Sequence, residues 1–593
     1  MRGRFSRWLI PALVVGIAAG PAIAASGSLP GKWVEVRSAH FVVLGNAGER
    51  SERDVAANFE RIREVFLKVF KKAAEHAAEP PFHVYVARDE RTLRLLAPSL
   101  IKARGERTVA GRFVDSPAYP FALVLANLDP DSTASIVHHE YFHHLINQVG
   151  EHVPLWLGEG LSDFWSSVRF EKDATVIGSP LPGRLRTLEQ PNWIPFDKLF
   201  DATSFSPDYR DRDRVGIFYA ESWALLHYLT VGEGPRRGTA QYEDYLRLMA
   251  SGRTSLEAAK EAFGDLAKLQ HEVSTYARSG RYLARRTEPV PLPPPESLKA
   301  RTVPDAEASA FVAMAILHSD LSRYAEPLVA GAIEAAPALA VTHTAAGLLA
   351  LSEKRHVDAQ REFLEATRAA DPGPIPFYGL AVVQLAGDPP ADQLGPIEQL
   401  LLHALDLDSA FAPAYSRLAA LYLRRSGEER RAVAMIRRAE ALQPGDENLA
   451  LEEARVLDRA GDHAAALSRL ASLTAPALAS GDGIFLNNLC WEITLAGFAT
   501  QALPLCERAV AQDPKDYSWR DSRGVARAAT GDLAGAREDF AAVVSDPIAS
   551  RDAEFIALRQ SWLETLRRDE NPITPDVLRE LRESLSYFTF WGH

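Results

Sequence analysis

The chain has 593 residues, 47% hydrophobic and 24% charged. Those are ordinary proportions for a folded soluble protein, so long disorder, collagen-like repeats and a polytopic membrane protein are excluded. Its 66 basic and 78 acidic residues give a net charge of −12, which is not the footprint of a protein built to grip nucleic acid.

Two cysteines exclude a disulfide scaffold or a Cys-rich metal framework. The length predicts two to five domains, or one domain with a repeat array. Arg2, Arg4 and Arg7 precede an apolar run from Trp8 to Ala19, and Ala22-Ile23-Ala24 follows. A basic head, a short apolar stretch and an A-x-A exit describe a secretory signal peptide over residues 1–25. The run is short of the roughly 20 residues a spanning helix needs. Loss of residues 1–24 removes three arginines and no acids, leaving −15. The expected product is exported, periplasmic or secreted, with no membrane span after cleavage.

Residues 26–288 have a mixed pattern. Trp33 to Leu44 reads as a strand, and Glu49 to Lys72 as a helix through Val55, Phe59, Ile62, Phe66 and Val69. Phe82–Val86, Ala110–Val114 and Phe121–Leu125 read as further strands. A helix is expected after Asp131-Ser132-Thr133, with others over roughly 156–168, 216–230 and 239–250.

The first of these helices carries His139-Glu140-Tyr141-Phe142-His143, an H-E-x-x-H pattern. Positions i and i+4 share one helix face, so both imidazoles can meet one Zn²⁺, and Glu140 is placed to take a proton from a water there. A catalytic zinc wants a third protein ligand and an open position. Trp156-Leu157-Gly158-Glu159-Gly160-Leu161-Ser162-Asp163 offers Glu159, and Asp163 one turn on can orient a ligand imidazole through its other nitrogen. The pattern H-E-x-x-H-x-x-G-x-x-H fails, because Ile146 and Val149 stand where it needs Gly and His. A histidine-rich polar face without metal is the plain alternative. His138 and His144 flank the motif and should not reach the same metal.

On these residues the segment resembles a gluzincin, a thermolysin-like zinc metallopeptidase, in its small peptidase-MA-like form. The resemblance implies an α+β zincin domain, with His139, His143 and Glu159 as metal ligands, Glu140 as catalytic glutamate and Asp163 behind a ligand. Trp33-Val34-Glu35-Val36-Arg37-Ser38-Ala39-His40-Phe41 also looks like the start of such exported domains. In Ile217–Tyr228 the resemblance points to Tyr219 as the donor to a developing oxyanion, with His227 and Tyr228 behind it and core packing as the alternative. It also implies that Phe121–Leu125 is an edge strand able to pair with extended substrate. A plain interior strand fits the residues nearly as well.

Five prolines in Pro289-Val290-Pro291-Leu292-Pro293-Pro294-Pro295 predict an extended spacer over 289–305. Beyond it, self-similarity recurs at about 34–35 residues: Gly347, Ala359, Phe363, Ala366 and Pro372 in one unit, Gly524, Ala536, Phe540 and Pro547 in another. This resembles the tetratricopeptide repeat, small residues letting paired helices approach. About seven units are expected over 306–550, irregular at 375–411. They would form an all-α solenoid whose concave face binds a protein partner. Cys490 and Cys506 occupy the positions of Gly347 and Phe363 within their unit. They pair as a disulfide in an oxidising compartment or pack as two thiols. Residues 551–593 are expected to cap the array.

The favoured reading is an exported zinc metallopeptidase hydrolysing peptide bonds, its repeats binding a partner or substrate. The alternative is a non-catalytic repeat scaffold with a vestigial or structural zincin domain.

Overall fold

The structure, a computed structural model, describes residues 29–69, 81–97, 111–114, 119–126, 134–148, 153–211, 214–232, 235–318 and 322–584. The expected signal peptide, the Asp131-Ser132-Thr133 cap and the last nine residues lie outside them.

The strands are β1 (Trp33–Arg37), β2 (Phe41–Gly45), β3 (Phe82–Ala87), β4 (Gly111–Val114), β5 (Phe121–Leu125), β6 (Arg169–Phe170), β7 (Thr175–Ile177), β8 (Arg285–Thr287) and β9 (Lys299–Val303). The helices before β8 are α1 (Glu49–Val69), α2 (Glu90–Leu96), α3 (Ala134–Gln148), α4 (Leu155–Ser166), α5 (Pro182–Leu188), α6 (Phe196–Phe200), α7 (Pro207–Arg210), α8 (Val215–Val231), α9 (Pro235–Ala250), α10 (Ser255–Phe263) and α11 (Leu266–Arg278).

A six-stranded sheet runs β4-β5-β3-β2-β1-β9. β2, β3 and β5 are parallel neighbours; the other pairings are antiparallel. The expected single strand over 33–44 is a hairpin, because the chain turns where Ser38 N–H bonds the Phe41 carbonyl at 2.9 Å. Phe121–Leu125 is an interior strand, since β4 covers its outer side and is itself the edge.

Side chains alternate across the sheet, as the two-residue period of a strand requires. Val84, Val86, Ala122 and Val124 face a core with α1, α3, α4 and α8. Tyr85, Ala87, Leu123 and Trp33 face the other way, into a core that includes α2 and continues through the repeat helices to Val456.

The expected spacer over 289–305 is tied down at both ends. Val290 N–H donates to Thr175 Oγ1 at 3.1 Å, and Arg61 Nε donates to its carbonyl at 3.0 Å. β9 then pairs with all of β1. Arg301 holds Glu35 with two bonds of 2.8 and 2.9 Å, neutralising a carboxylate buried beneath the strand. Lys-Ala-Arg-Thr-Val gave no strand signal because an edge strand with an exposed face needs few apolar residues.

Among the described residues seven helix pairs follow, from Asp305–Leu317 with Ser322–Ala335 to Tyr517–Thr530 with Leu533–Val544. The unit expected to be irregular is a regular pair, Ile375–Ala386 and Leu394–Leu407. Its Pro389-Pro390 falls in the connection, and Pro396 falls in a first turn, where the missing N–H matters least. Within units, glycine makes room for a ring: a Cβ on Gly347 would stand 2.6 Å from the Phe363 ring, and one on Gly524 2.9 Å from Phe540. Cys490 and Cys506 take those two positions and are bonded, their Cα atoms 5.3 Å apart. Helix Ala553–Leu566 covers the last pair, Trp562 lying 5.4 Å from Phe540. Among the described residues no helix is long and apolar enough to cross a membrane.

Candidate metal centre

α3 places His139 and His143 one turn apart, their backs fixed by Tyr141, Phe142, Leu145 and Ile146 in the core. α4 supplies Glu159 and Asp163, also one turn apart. α4 in turn lies hard against α8, and Gly160 permits the approach. A Cβ there would meet the Ser222 carbonyl oxygen at 2.8 Å, whereas one on Gly158 would find its nearest neighbour at 3.5 Å.

His139 Nε2, His143 Nε2 and Glu159 Oε2 converge. Their separations are 3.1 Å between the imidazoles and 3.0 and 3.3 Å from each to the carboxylate. All three donors lie within 4.8 Å of one another, a grouping that could hold one metal ion. A tetrahedral ion with ligands at 2.0–2.1 Å has donor–donor edges of about 3.3 Å, so the spacing suits zinc.

The electrostatics ask for a cation at this point. Glu159 and Asp163 are only 4% and 3% exposed, and buried carboxylates need compensating charge. Arg184 compensates one, binding Asp163 through Nε at 2.6 Å and Nη2 at 3.0 Å. Asp163 Oδ1 also accepts from His139 Nδ1 at 2.8 Å. That bond keeps a proton on His139 Nδ1 and turns Nε2 toward Glu159. Burial alone would depress the His139 pKa, but Asp163 and Glu159 override it and raise it to about 10. Burial likewise pushes the Glu159 carboxyl up, yet the two histidines hold it far below the carboxylate range. Both shifts express one demand: positive charge between imidazole and carboxylate, supplied by a proton or by a metal.

Glu140 is half-buried on the same helix. Its charge helps to raise the Tyr219 hydroxyl pKa, after burial and Glu159. The Tyr219 ring lies 5.9 Å from His139 and beneath the Arg184 guanidinium, 4.8 Å from its centroid. The two runners-up are elsewhere. His227 is fully buried between the Gly178 carbonyl at 2.8 Å and Tyr276 at 2.9 Å, and Tyr228 donates to Glu272. His138 meets Asn58 at 2.9 Å and edges Phe59. His144 stacks on Tyr141.

Two residues at the site carried no sequence signal. Arg184, from α5, grips Asp163. Tyr209, from the single turn α7, donates to Glu159 Oε1 at 2.8 Å, the oxygen less engaged with the histidines. Isolated residues on short helices show neither motif nor period.

No family model matches the chain. Over 136 residues it is 38% identical to the cellulose synthase 2 operon protein C of Komagataeibacter xylinus, a match taking in 21% of this chain and 10% of that protein. The chain thus spans about a tenth of that relative. Among solved structures, yeast Tom70 is similar with a TM-score of 0.34 and 13% identity, covering 75% of this chain and 85% of its own. A tetratricopeptide repeat protein from Parabacteroides merdae gives 0.33 at 12% identity, covering 43% and 98%. These are loose likenesses.

Proposed function

We propose that the chain is a repeat scaffold for a protein partner that carries a zinc-type hydrolytic centre acting on peptide bonds. The scaffold half has the support of the comparisons, which include a protein described as a tetratricopeptide repeat protein; they lend the peptidase half none. The observation that carries the hydrolytic half is the convergence of His139, His143 and Glu159 with Asp163 behind His139. The same arrangement supports the resemblance to a thermolysin-like gluzincin.

Zinc held by these donors would supply a Lewis acid and lower the pKa of a water. The chain's own residues do the rest. Asp163 keeps the His139 proton on Nδ1. Glu140 takes the proton of the attacking water and delivers it to the leaving amine. Tyr219, its hydroxyl kept protonated by burial and by Glu159, donates to the oxygen on which negative charge develops. Export belongs to this reading, because a disulfide such as Cys490–Cys506 persists in oxidising compartments.

The test is Glu140→Gln against wild type in a peptide-library digest. Cleavage by wild type, lost in the variant with zinc still bound, is the expected result. A second reading is a non-catalytic repeat scaffold with a vestigial or structural zincin domain, and the comparisons support its scaffold part alone. It predicts no cleavage by either protein, with or without bound zinc.

A further inference from the structure

The segment that delivers Tyr209 to the metal centre is held from the repeats. Between α6 and α7 the chain makes a turn in which Thr203 N–H bonds Ser206 Oγ at 2.9 Å and Ser206 N–H bonds the Thr203 carbonyl at 2.9 Å. α7 itself is four residues long, too short to be stable alone.

Its support comes from more than 270 residues downstream. The Phe205 ring stands edge-on to Trp519, centroids 4.8 Å apart and planes at 69°. Trp519 is fully buried in the repeat core with Leu486, Leu489 and both cysteines, and Phe205 packs against that cluster. Arg508 reaches Asp201 at 3.6 Å, and a Cβ on Gly481 would lie 3.5 Å from the Thr203 methyl. Arg210 lies over the Phe205 ring at 4.2 Å, joining this contact to α7, four residues from Phe205 to Tyr209.

We propose that Tyr209 is a positioning residue for Glu159, and that the repeat arm sets its position through Trp519 and Phe205. The inference rests on the metal-centre reading above. By holding Oε1, the Tyr209 hydroxyl fixes the plane of the carboxylate and presents Oε2 to the two imidazoles. Outer partners of this kind change metal affinity by roughly 10–100-fold when removed. The repeats are thereby part of the metal centre's support as well as a binding arm.

The test uses the full chain, Zn²⁺ alone as ligand in a chelator competition, and amide hydrogen exchange of residues 201–210. Tyr209→Phe is expected to weaken zinc binding about 10-fold. Phe205→Ala is expected to weaken it to a similar degree and to speed exchange across 201–210. Phe205→Tyr should restore both, and the double variant should bind no worse than Tyr209→Phe alone. Phe205 is half-buried, so its loss leaves Trp519 and the repeat core in place, which the thermal melt checks. Wild-type zinc affinity in Tyr209→Phe, or unchanged affinity and exchange in Phe205→Ala, overturns the inference while the metal reading stands. A wild-type chain that binds no zinc overturns both.

Discussion

The chemistry of single side chains turns on two buried carboxylates and the charges placed against them. Asp163 has Arg184 and the His139 Nδ1 proton; Glu159 has Tyr209 and two imidazole nitrogens. Asp163→Asn keeps the shape but weakens both partners, and zinc affinity should fall by about 10–100-fold, read by chelator competition. An unchanged affinity would deny Asp163 its orienting part. A different buried acid is unrelated to metal. Glu221 accepts from Ile194 N–H at 2.7 Å, its other oxygen finds no partner among the described residues, and burial raises its pKa to about 9. A carboxyl with its pKa raised on folding stabilises the protein while protonated. That contribution is complete below about pH 4.5 and is lost as pH rises toward 9. The advantage of Glu221→Gln over wild type should therefore grow by about 5 kcal/mol between pH 5 and 9 in denaturant melts. Parallel pH profiles would contradict it.

Motif spacing made His139, His143, Glu159 and Asp163 legible from residues alone, because a helix repeats its faces every three to four positions. Tyr209 and Arg184 lie 50 and 21 residues from their partners, joined by short helices and turns whose path no periodicity encodes. Tyr219 was legible only by resemblance.

Among elements, α4 and the repeat hairpins show how small residues set helix spacing. Gly160→Ala puts a methyl group against the Ser222 carbonyl, and the backbone cannot yield as a flexible side chain could. The expected cost is about 1–3 kcal/mol, with weaker zinc binding because Glu159 is the preceding residue. Gly158→Ala, whose Cβ would make only ordinary contacts at 3.5 Å and beyond, is the control. In the repeats, Cys490 and Cys506 replace the glycine–ring pair by a covalent bond across 16 residues of separation. Changing both to alanine should lower stability by about 3 kcal/mol, measured in urea without reductant. Equal midpoints would assign the bond no stabilising role. The strand β9 is the element least visible beforehand. Proline density marked its approach as a spacer, and only the register of Arg301 over Glu35 shows why this charged pentapeptide lies flat on the sheet.

Across the whole molecule, one sheet joins the two halves. One face packs on the helices of the candidate metal centre, the other on the first repeats, and β9 closes its edge. The division at residue 288 suggested by composition therefore cuts through a folded unit. A fragment 26–288 leaves Trp33, Tyr85, Phe121 and Leu123 uncovered, each worth roughly 1.5–3 kcal/mol when buried. It should aggregate or melt broadly, whereas a fragment extended through the first two helix pairs should stay soluble. A sharp cooperative melt of 26–288 would show that the halves are independent after all.

The central claim is that His139, His143 and Glu159 form one metal centre. Elemental analysis of gently purified full-length protein tests it most directly. The account predicts about one zinc per chain in wild type and in Glu140→Gln, and none in His139→Ala. A metal-free wild type, or zinc retained in His139→Ala, would contradict it.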